Sequence, residues 1–378
     1  MLLINNTEVA SLLSMSDCLR VQEKAFRDIV EAGAVHRPRV DLYFPADIDD
    51  GYFRWGSMEG ASGQYFAIRM KSDIVTWPKT DDGNWTEEKF CTEPGVYCGL
   101  IFLLSTKNGA PLAFLNDGYL QHMRVGGGAG IGAKYLSRPD SEVVGLIGSG
   151  GMARTFLDAF CCVRPIKKCR VYSPTPGHKE AFAAEMADRL GIEVESVASA
   201  EEAIRGSDIV ASATDSMKPV YDASWLEKGQ HVTNLGRREM PEEAMSRFDV
   251  VVRQGVAGLQ MRQTDVFQAE RGHSPAAFIG GTKEQQRVIP SKNPSPGFGG
   301  DTPEFMDRGK GGDKPEFADL ISGRCAGRES PDQITFYRNV GNQGLQFSSV
   351  AGWVYEQAIA RSQGREIPTD WFLQDIRD

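Results

Sequence analysis

The sequence predicts an α/β fold organised on a doubly wound parallel sheet, and three observations carry that reading. From Glu142 onward, short apolar runs alternate with segments of helical periodicity, the order that lays parallel strands side by side with helices on both faces. The first run, Val143, Val144, Leu146 and Ile147, leads straight into Gly148, Gly150 and Ala153 in the spacing G-x-G-x-x-A. Residues 1 to about 120 lack this alternation and read as a separate mixed α/β region, and 378 residues are enough for two domains.

The glycine spacing has a chemical reason. Gly148 permits a tight turn, Gly150 lets the backbone approach a pyrophosphate, and Ala153 keeps the helix close to the strand. Gly151 and Met152 open that helix, and its unpaired N–H groups face the phosphates. With 41 glycines in the chain, a bare pattern match would mean little. The buried-type strand before it and the helix through Thr155, Phe156, Leu157, Ala159 and Phe160 supply the context the motif requires.

In chain order, Ser16 or Asp17 can cap a helix through Leu19, Val21, Ala25, Phe26 and Ile29 that ends near Gly33. HRPRVDLYFP, with Arg37 and Arg39, then Tyr52–Trp55, Tyr65–Lys71 and Gly99–Leu104, reads as a series of strands. Trp77 and Trp85 belong to a polar loop, and Lys107-Asn108-Gly109 turns a hairpin into Pro111–Leu115. Asp117–Leu136 is glycine-rich yet helix-compatible and predicts a tightly packed helix. Further strands are expected at Lys168–Tyr172, Ile192–Val197, Asp208–Thr214, His231–Gly236 and Asp249–Val252. From about Gly272 to Lys314 the composition turns to Gly, Pro, Ser and charge, either an ordered lid or partner arm or a mobile insertion. A strand and a helix follow in Ile334–Arg361.

Composition excludes several classes. A net charge of −9 argues against nucleic acid and anionic membrane as partners, and no stretch approaches the ~20 apolar residues of a membrane span. Seven scattered cysteines without a CxxC pair, and no export signal, favour reduced thiols in a cytoplasm. The five histidines show neither HExxH spacing nor a Cys/His cluster, so no metal is expected.

Arg39 in RPRVDLYFP, Lys71 in FAIRMKSD, Arg124 in NDGYLQHMRVGGGAGIGAKYLSRPD, GLIGSGGMA, ATDSMKP and ISGRCAGRESPDQITFYRNVG together resemble the ornithine cyclodeaminase/mu-crystallin family over most of the chain. The resemblance implies a Rossmann domain, residues 121–329, inserted into an α+β substrate and dimerisation domain built from residues 1–120 and 330–378. It also implies a nicotinamide cofactor, a carboxylate-bearing amino or imino acid substrate and a homodimer. Arg39, Lys71 and Arg124 match the family positions that hold the substrate carboxylate. Chemistry agrees: an arginine fork pairs with a carboxylate, and a lysine adds a point charge beside a developing imine. Arg37, Arg54 and Arg69 are read as ordinary surface charges. Asp117 matches an acidic family position and either holds a basic residue or caps the helix start.

The second strand of the parallel sheet selects the cofactor. An NAD-selective site ends it with Asp or Glu. Here Tyr172 to Lys179 contains no carboxylate, Ser173 and Thr175 can bond a 2′-phosphate, and His178 or Lys179 can offset its charge. NADP(H) is therefore favoured, with NAD(H) the alternative. Thr214 and Asp215 at one strand end and Asn234 at the next should face the cofactor crevice.

One departure from the family matters. Cyclodeaminases carry an aspartate in a longer loop after the strand equivalent to HVTNLG, and here Gly236 runs into Arg237-Arg238-Glu239. Glu239, Glu242 or Asp301 are possible substitutes, although Glu239 and Glu242 read more simply as acids at a helix start. The expected activity is an NAD(P)(H)-dependent oxidoreductase on the C–N bond of an amino or imino acid. A cyclodeaminase-type lyase and a non-catalytic small-ligand-binding protein are the alternatives. The tryptophan loop and Gly297–Gly300 are expected to narrow the substrate pocket.

Overall fold

A computed structural model describes residues 1–79, 85–236, 238–255, 267–272, 274–279, 282–290 and 314–376. After strand β1 (Leu2–Ile4), helix α1 (Asn6–Leu12) opens on a capping box between Asn5 and Glu8. Helix α2 (Met15–Glu31) is capped by Ser14, whose Oγ accepts from the Asp17 N–H at 3.1 Å. The cap is therefore neither Ser16 nor Asp17, because Ser14 already holds the extended backbone that a cap needs. Strands β2 (Val35–His36), β3 (Val40–Pro45), β4 (Tyr52–Ser62), β5 (Tyr65–Thr76), β6 (Glu88–Phe90), β7 (Cys98–Ser105) and β8 (Pro111–Asn116) then build most of a mixed sheet. Period-two alternation along β5 puts Ala67, Arg69, Asp73 and Val75 on its buried face, with Lys71 in the same row.

Helix α3 (Gly118–Leu136), the predicted glycine-rich helix, leads to the second sheet. There β9 (Val143–Ile147), α4 (Gly151–Val163), β10 (Lys168–Tyr172), α5 (Pro176–Leu190), β11 (Glu193–Ser196), α6 (Ala200–Ile204), β12 (Ile209–Ser212), β13 (His231–Asn234) and β14 (Val250–Arg253) alternate as expected. The chain continues through β15 (Phe267–Arg271), β16 (Ser274–Ile279), α7 (Lys283–Gln286), α8 (Phe317–Ile321), β17 (Thr335–Arg338), α9 (Gln343–Ala360) and β18 (Arg365–Glu366). The second sheet is parallel throughout, in the order β11-β10-β9-β12-β13-β17-β14. Its order reverses between β9 and β12, so the crevice beyond their carboxyl ends is where such a sheet binds ligands.

Sheet membership departs from the boundaries drawn at 121 and 330. Strand β17 lies within 330–378 yet runs between β13 and β14, and all four of its residues are buried, which suits a sheet covered on both faces. Strands β15 and β16 lie within 121–329 yet extend the mixed sheet, β16 pairing with β3 from Ala277↔Asp41 to Ile279↔Tyr43. The Gly/Pro-rich stretch at 272–314 thus begins as ordered strand. Asp301 and Gly297–Gly300 lie outside the described residues. Trp77 is buried, with its ring centroid 5.9 Å from that of Tyr43 and 6.3 Å from that of Tyr52. Among the described residues, no helix is long and apolar enough to cross a membrane.

Candidate active site

At the end of β9, Gly148 has φ +106°, a conformation that penalises any side chain, and a Cβ there would stand 2.4 Å from the Ala213 carbonyl oxygen. Gly150 caps α4 without a side-chain hydrogen bond, and nothing lies within 4 Å of the place its Cβ would occupy. The first N–H groups of α4, from Gly151 and Met152, have no partner within the helix, and with open space beside Gly150 the cradle fits a dinucleotide diphosphate. Ser173 is buried at the end of β10, and Thr175 precedes α5 with no side-chain cap bond. Lys179 Nζ donates to the Val197 carbonyl oxygen and lies 5.5 Å from the ring centroid of Tyr172, at the end of β10. Thr214, half-buried, and Asp215, exposed, follow β12, and buried Asn234 ends β13 with its Nδ2 donating to the Gly236 carbonyl oxygen.

Arg39 immediately precedes β3, Lys71 lies on β5 and Arg124 on α3; the charge of Arg69 on β5 acts on both Lys71 and Arg124, and that of Arg39 acts on Arg69 and Arg124. Arg39 Nε donates to Asp41 Oδ1 at 2.8 Å, while its buried Nη2 has no hydrogen-bond partner among the described residues. Lys71 Nζ lies 3.2 Å from Asp73 Oδ1. Burial first, then the Arg54 charge, brings the Lys71 ammonium down to about 8. Arg124 is buried, and among the described residues its hydrogen-bond partners are neutral amides: Gln121 Oε1 at 3.2 and 2.8 Å and Gln346 Oε1 at 3.1 Å. Burial, then the neighbouring Arg69, lowers its pKa to about 9.

Arg54 and Arg69 are not surface charges. Arg54 is buried in ion pairs with Asp73 at 2.6 Å and Glu87 at 3.0 Å. Arg69 pairs with Asp117, Nε to Oδ2 at 2.6 Å. Asp117 therefore holds a basic residue and makes no cap bond, since its backbone is helical rather than extended. Arg37 stays exposed, 2.6 Å from Glu59. Register sets Lys71 between Gly56 on β4 and Gly99 on β7, and the room left by their missing side chains is taken by two carboxylates. A Cβ on Gly56 would meet Asp41 Oδ1 at 2.3 Å, and one on Gly99 would meet Asp117 Oδ1 at 2.0 Å. The alternation Arg69, Lys71, Asp73 in the sequence was the signal for the first of these groups. Nothing local announced the two glycines.

Glu239 also departs from expectation. It is fully buried, lies just before the turn that starts at Glu242 rather than in it, and accepts from the Thr214 and Gly236 N–H groups at the ends of β12 and β13. Burial raises its pKa above the usual carboxyl range, while those N–H groups oppose the shift. Glu242 does begin a short 3-10 turn, Glu242–Arg247, as an exposed acid. His122, unremarked in the sequence, lies on α3 with its ring against Gly151.

The model of the ornithine cyclodeaminase/mu-crystallin family matches residues 1–362. The chain is 28% identical to an alanine dehydrogenase of Archaeoglobus fulgidus, over 97% of this chain and 98% of that one. It is also 28% identical to a Delta(1)-pyrroline-2-carboxylate reductase of Bacillus cereus, over 71% and 74% respectively. Among solved structures it resembles the Delta(1)-pyrroline-2-carboxylate reductase of Thermococcus litoralis in complex with NADH and L-proline, with TM-score 0.72 and 26% identity, covering 97% of this chain and 100% of that one. An archaeal alanine dehydrogenase dimer with bound NAD gives TM-score 0.70 and 25% identity, covering 97% and 99%. With the family model spanning nearly the whole chain, this protein belongs to the ornithine cyclodeaminase/mu-crystallin family.

Proposed function

We propose that the protein is an NAD(P)(H)-dependent oxidoreductase acting on the C–N bond of an amino or imino acid. The observation that carries the reading is Arg124, a buried guanidinium whose hydrogen-bond partners among the described residues are neutral amides, within the electrostatic reach of Arg39, whose buried Nη2 has no hydrogen-bond partner among the described residues. A buried cation of this kind calls for an anion, and a carboxylate fits the donors of both arginines. Lys71, with a pKa near 8, holds a proton that it can pass from Nζ to an imine nitrogen, or take back, close to neutral pH. When bound, the nicotinamide supplies or accepts the hydride. The mixed sheet then serves as the substrate part and the parallel sheet as the nucleotide part. The relatives named as pyrroline-carboxylate reductase and alanine dehydrogenase support this class.

The ring-closing lyase finds no support in the loop after β13, because Glu239 is committed to two backbone N–H groups. NADP(H) is the favoured cofactor: no carboxylate stands between Tyr172 and Lys179, and the Thr175 hydroxyl makes no cap bond. The solved relatives carry NADH or NAD, so NAD(H) is the competing choice. A homodimer is proposed through the outer face of the mixed sheet, where Leu42, Phe44, Trp55 and Leu100 are exposed together. Seven free cysteines fit a cytoplasmic location.

The test is incubation with NADPH or NADH, ammonia or methylamine, and a panel of 2-oxo acids that includes pyruvate, alongside Delta(1)-pyrroline-2-carboxylate. Cofactor oxidation that depends on the carboxylate substrate is expected, faster with NADPH. A protein that binds the cofactor but oxidises it with none of these compounds would refute the reading.

A further inference from the structure

Arg124 is fixed from behind by a chain of buried amides contributed by distant segments. Its Nη1 donates to Gln346 Oε1 on α9, 222 residues away. Gln346 Nε2 donates to Gln22 Oε1 at 2.6 Å and to the Arg124 carbonyl oxygen at 3.2 Å. Gln22 Nε2 in turn points at Cys18 Sγ, 3.1 Å away on the same helix. Both glutamines are essentially without solvent exposure. The amide orientations are forced, because a guanidinium only donates and must face Oε1. Room for the chain comes from the glycine run of α3. A Cβ on Gly127 would stand 2.4 Å from Gln22 Nε2, and one on Gly128 would stand 2.5 Å from Asn339 Oδ1 and 3.1 Å from Gln346 Nε2.

A carboxylate at position 346 would hold the same guanidinium more strongly and cancel its charge inside the protein. The neutral amide orients without cancelling. We propose that Gln346 is a positioning residue that determines specificity for an acid group: it fixes Arg124 through a neutral acceptor, so that the guanidinium charge remains for a ligand carboxylate. This rests on the reading that Arg124 receives the substrate carboxylate. Gln22 serves by holding Gln346 in register, and the glycines at 127 and 128 keep the space that both amides occupy.

The experiment compares wild type, Q346E, Q346L and R124A in the NADH-loaded protein. L-proline and pyruvate serve as carboxylate probes, measured by protection against thermal unfolding, and steady-state kinetics follow with pyruvate and ammonia. Q346E is close in size, so NADH binding is expected to persist; its second oxygen replaces the amide donor to Gln22 Oε1 and the Arg124 carbonyl oxygen, so unliganded thermal stability should fall somewhat. It should weaken both carboxylates about 10- to 100-fold, with the loss in KM and little change in kcat. Q346L should lower kcat as well, because the fork loses its orientation. Carboxylate affinity in Q346E equal to wild type, with R124A weakened, would overturn the role of Gln346 while leaving that of Arg124 standing. R124A binding both carboxylates as wild type does would overturn the Arg124 reading and this inference together.

Discussion

The imidazole of His122 lies over Gly151 so closely that a Cβ on that glycine would stand 2.8 Å from Cε1 and 3.1 Å from Nδ1. One residue belongs to the helix that carries Arg124 and the other opens the helix after the glycine turn, so the contact joins the two halves of the proposed site.

Gly151→Ala should push the ring aside and narrow the groove at the start of α4. NADPH affinity, read by fluorescence titration, is expected to fall about tenfold. His122→Ala should remove the obstruction and restore much of the loss, with a coupling of about 1–2 kcal/mol in the double-mutant cycle. Unchanged affinity in Gly151→Ala would show that the ring does not bound the groove.

Glu239→Gln places an amide N–H₂ against one of two backbone donors at the ends of β12 and β13. Leaving a buried donor unmatched costs about 1–3 kcal/mol. Lower stability in urea, accompanied by weaker cofactor binding, is the expected pair of changes. A stability loss with intact cofactor affinity would mean that the two strand ends do not border the cofactor.

Lys71 sets a pH profile. Its value of about 8 in the folded protein lies below its ordinary 10.5, so the ammonium form is available below about pH 8 and lost above it. In the imine-reducing direction kcat/KM should fall as pH rises through about 8, and in the amine-oxidising direction it should rise. The linkage has its own sign. Between about 8 and 10.5 the unfolded chain holds a proton that the folded chain has released, so this group's contribution to stability grows with pH across that window. Lys71→Met should flatten both curves. A profile that keeps its inflection near pH 8 in the variant would assign the titration elsewhere.

Gly99→Ala drives a methyl group into the Asp117 carboxylate, 2.0 Å from Oδ1, and so against its pair with Arg69. Disrupting a buried ion pair costs about 3–5 kcal/mol, and chemical denaturation should show a loss of that order. Gly177→Ala, at an exposed helix start with nothing within 4 Å, is the control and should change stability by less than about 1 kcal/mol. Equal behaviour of the two variants would show that Gly99 does not make room for the Asp117 carboxylate.

Local pattern carried much of this protein. The run from Val143 to Ala153 named a strand, a turn and a helix because each part needs particular residues within a few positions. The alternation of elements after Glu142 foretold the parallel sheet for the same reason. What the sequence left open depends on partners far apart in the chain. Asp117 could cap a helix or hold a cation, and only the β5–β7 pairing, which brings Arg69 beside it, decided the matter. Glu239 was assigned to a helix start because its true partners, the N–H groups of Thr214 and Gly236, come from two strand ends that only sheet pairing brings together. Strand β17 joined the parallel sheet by backbone hydrogen bonds, which no side-chain composition records. The sequence by itself determined the elements and the chemical types. Tertiary structure decided which charges are compensated, because burial and long-range pairing set the energy of each ion.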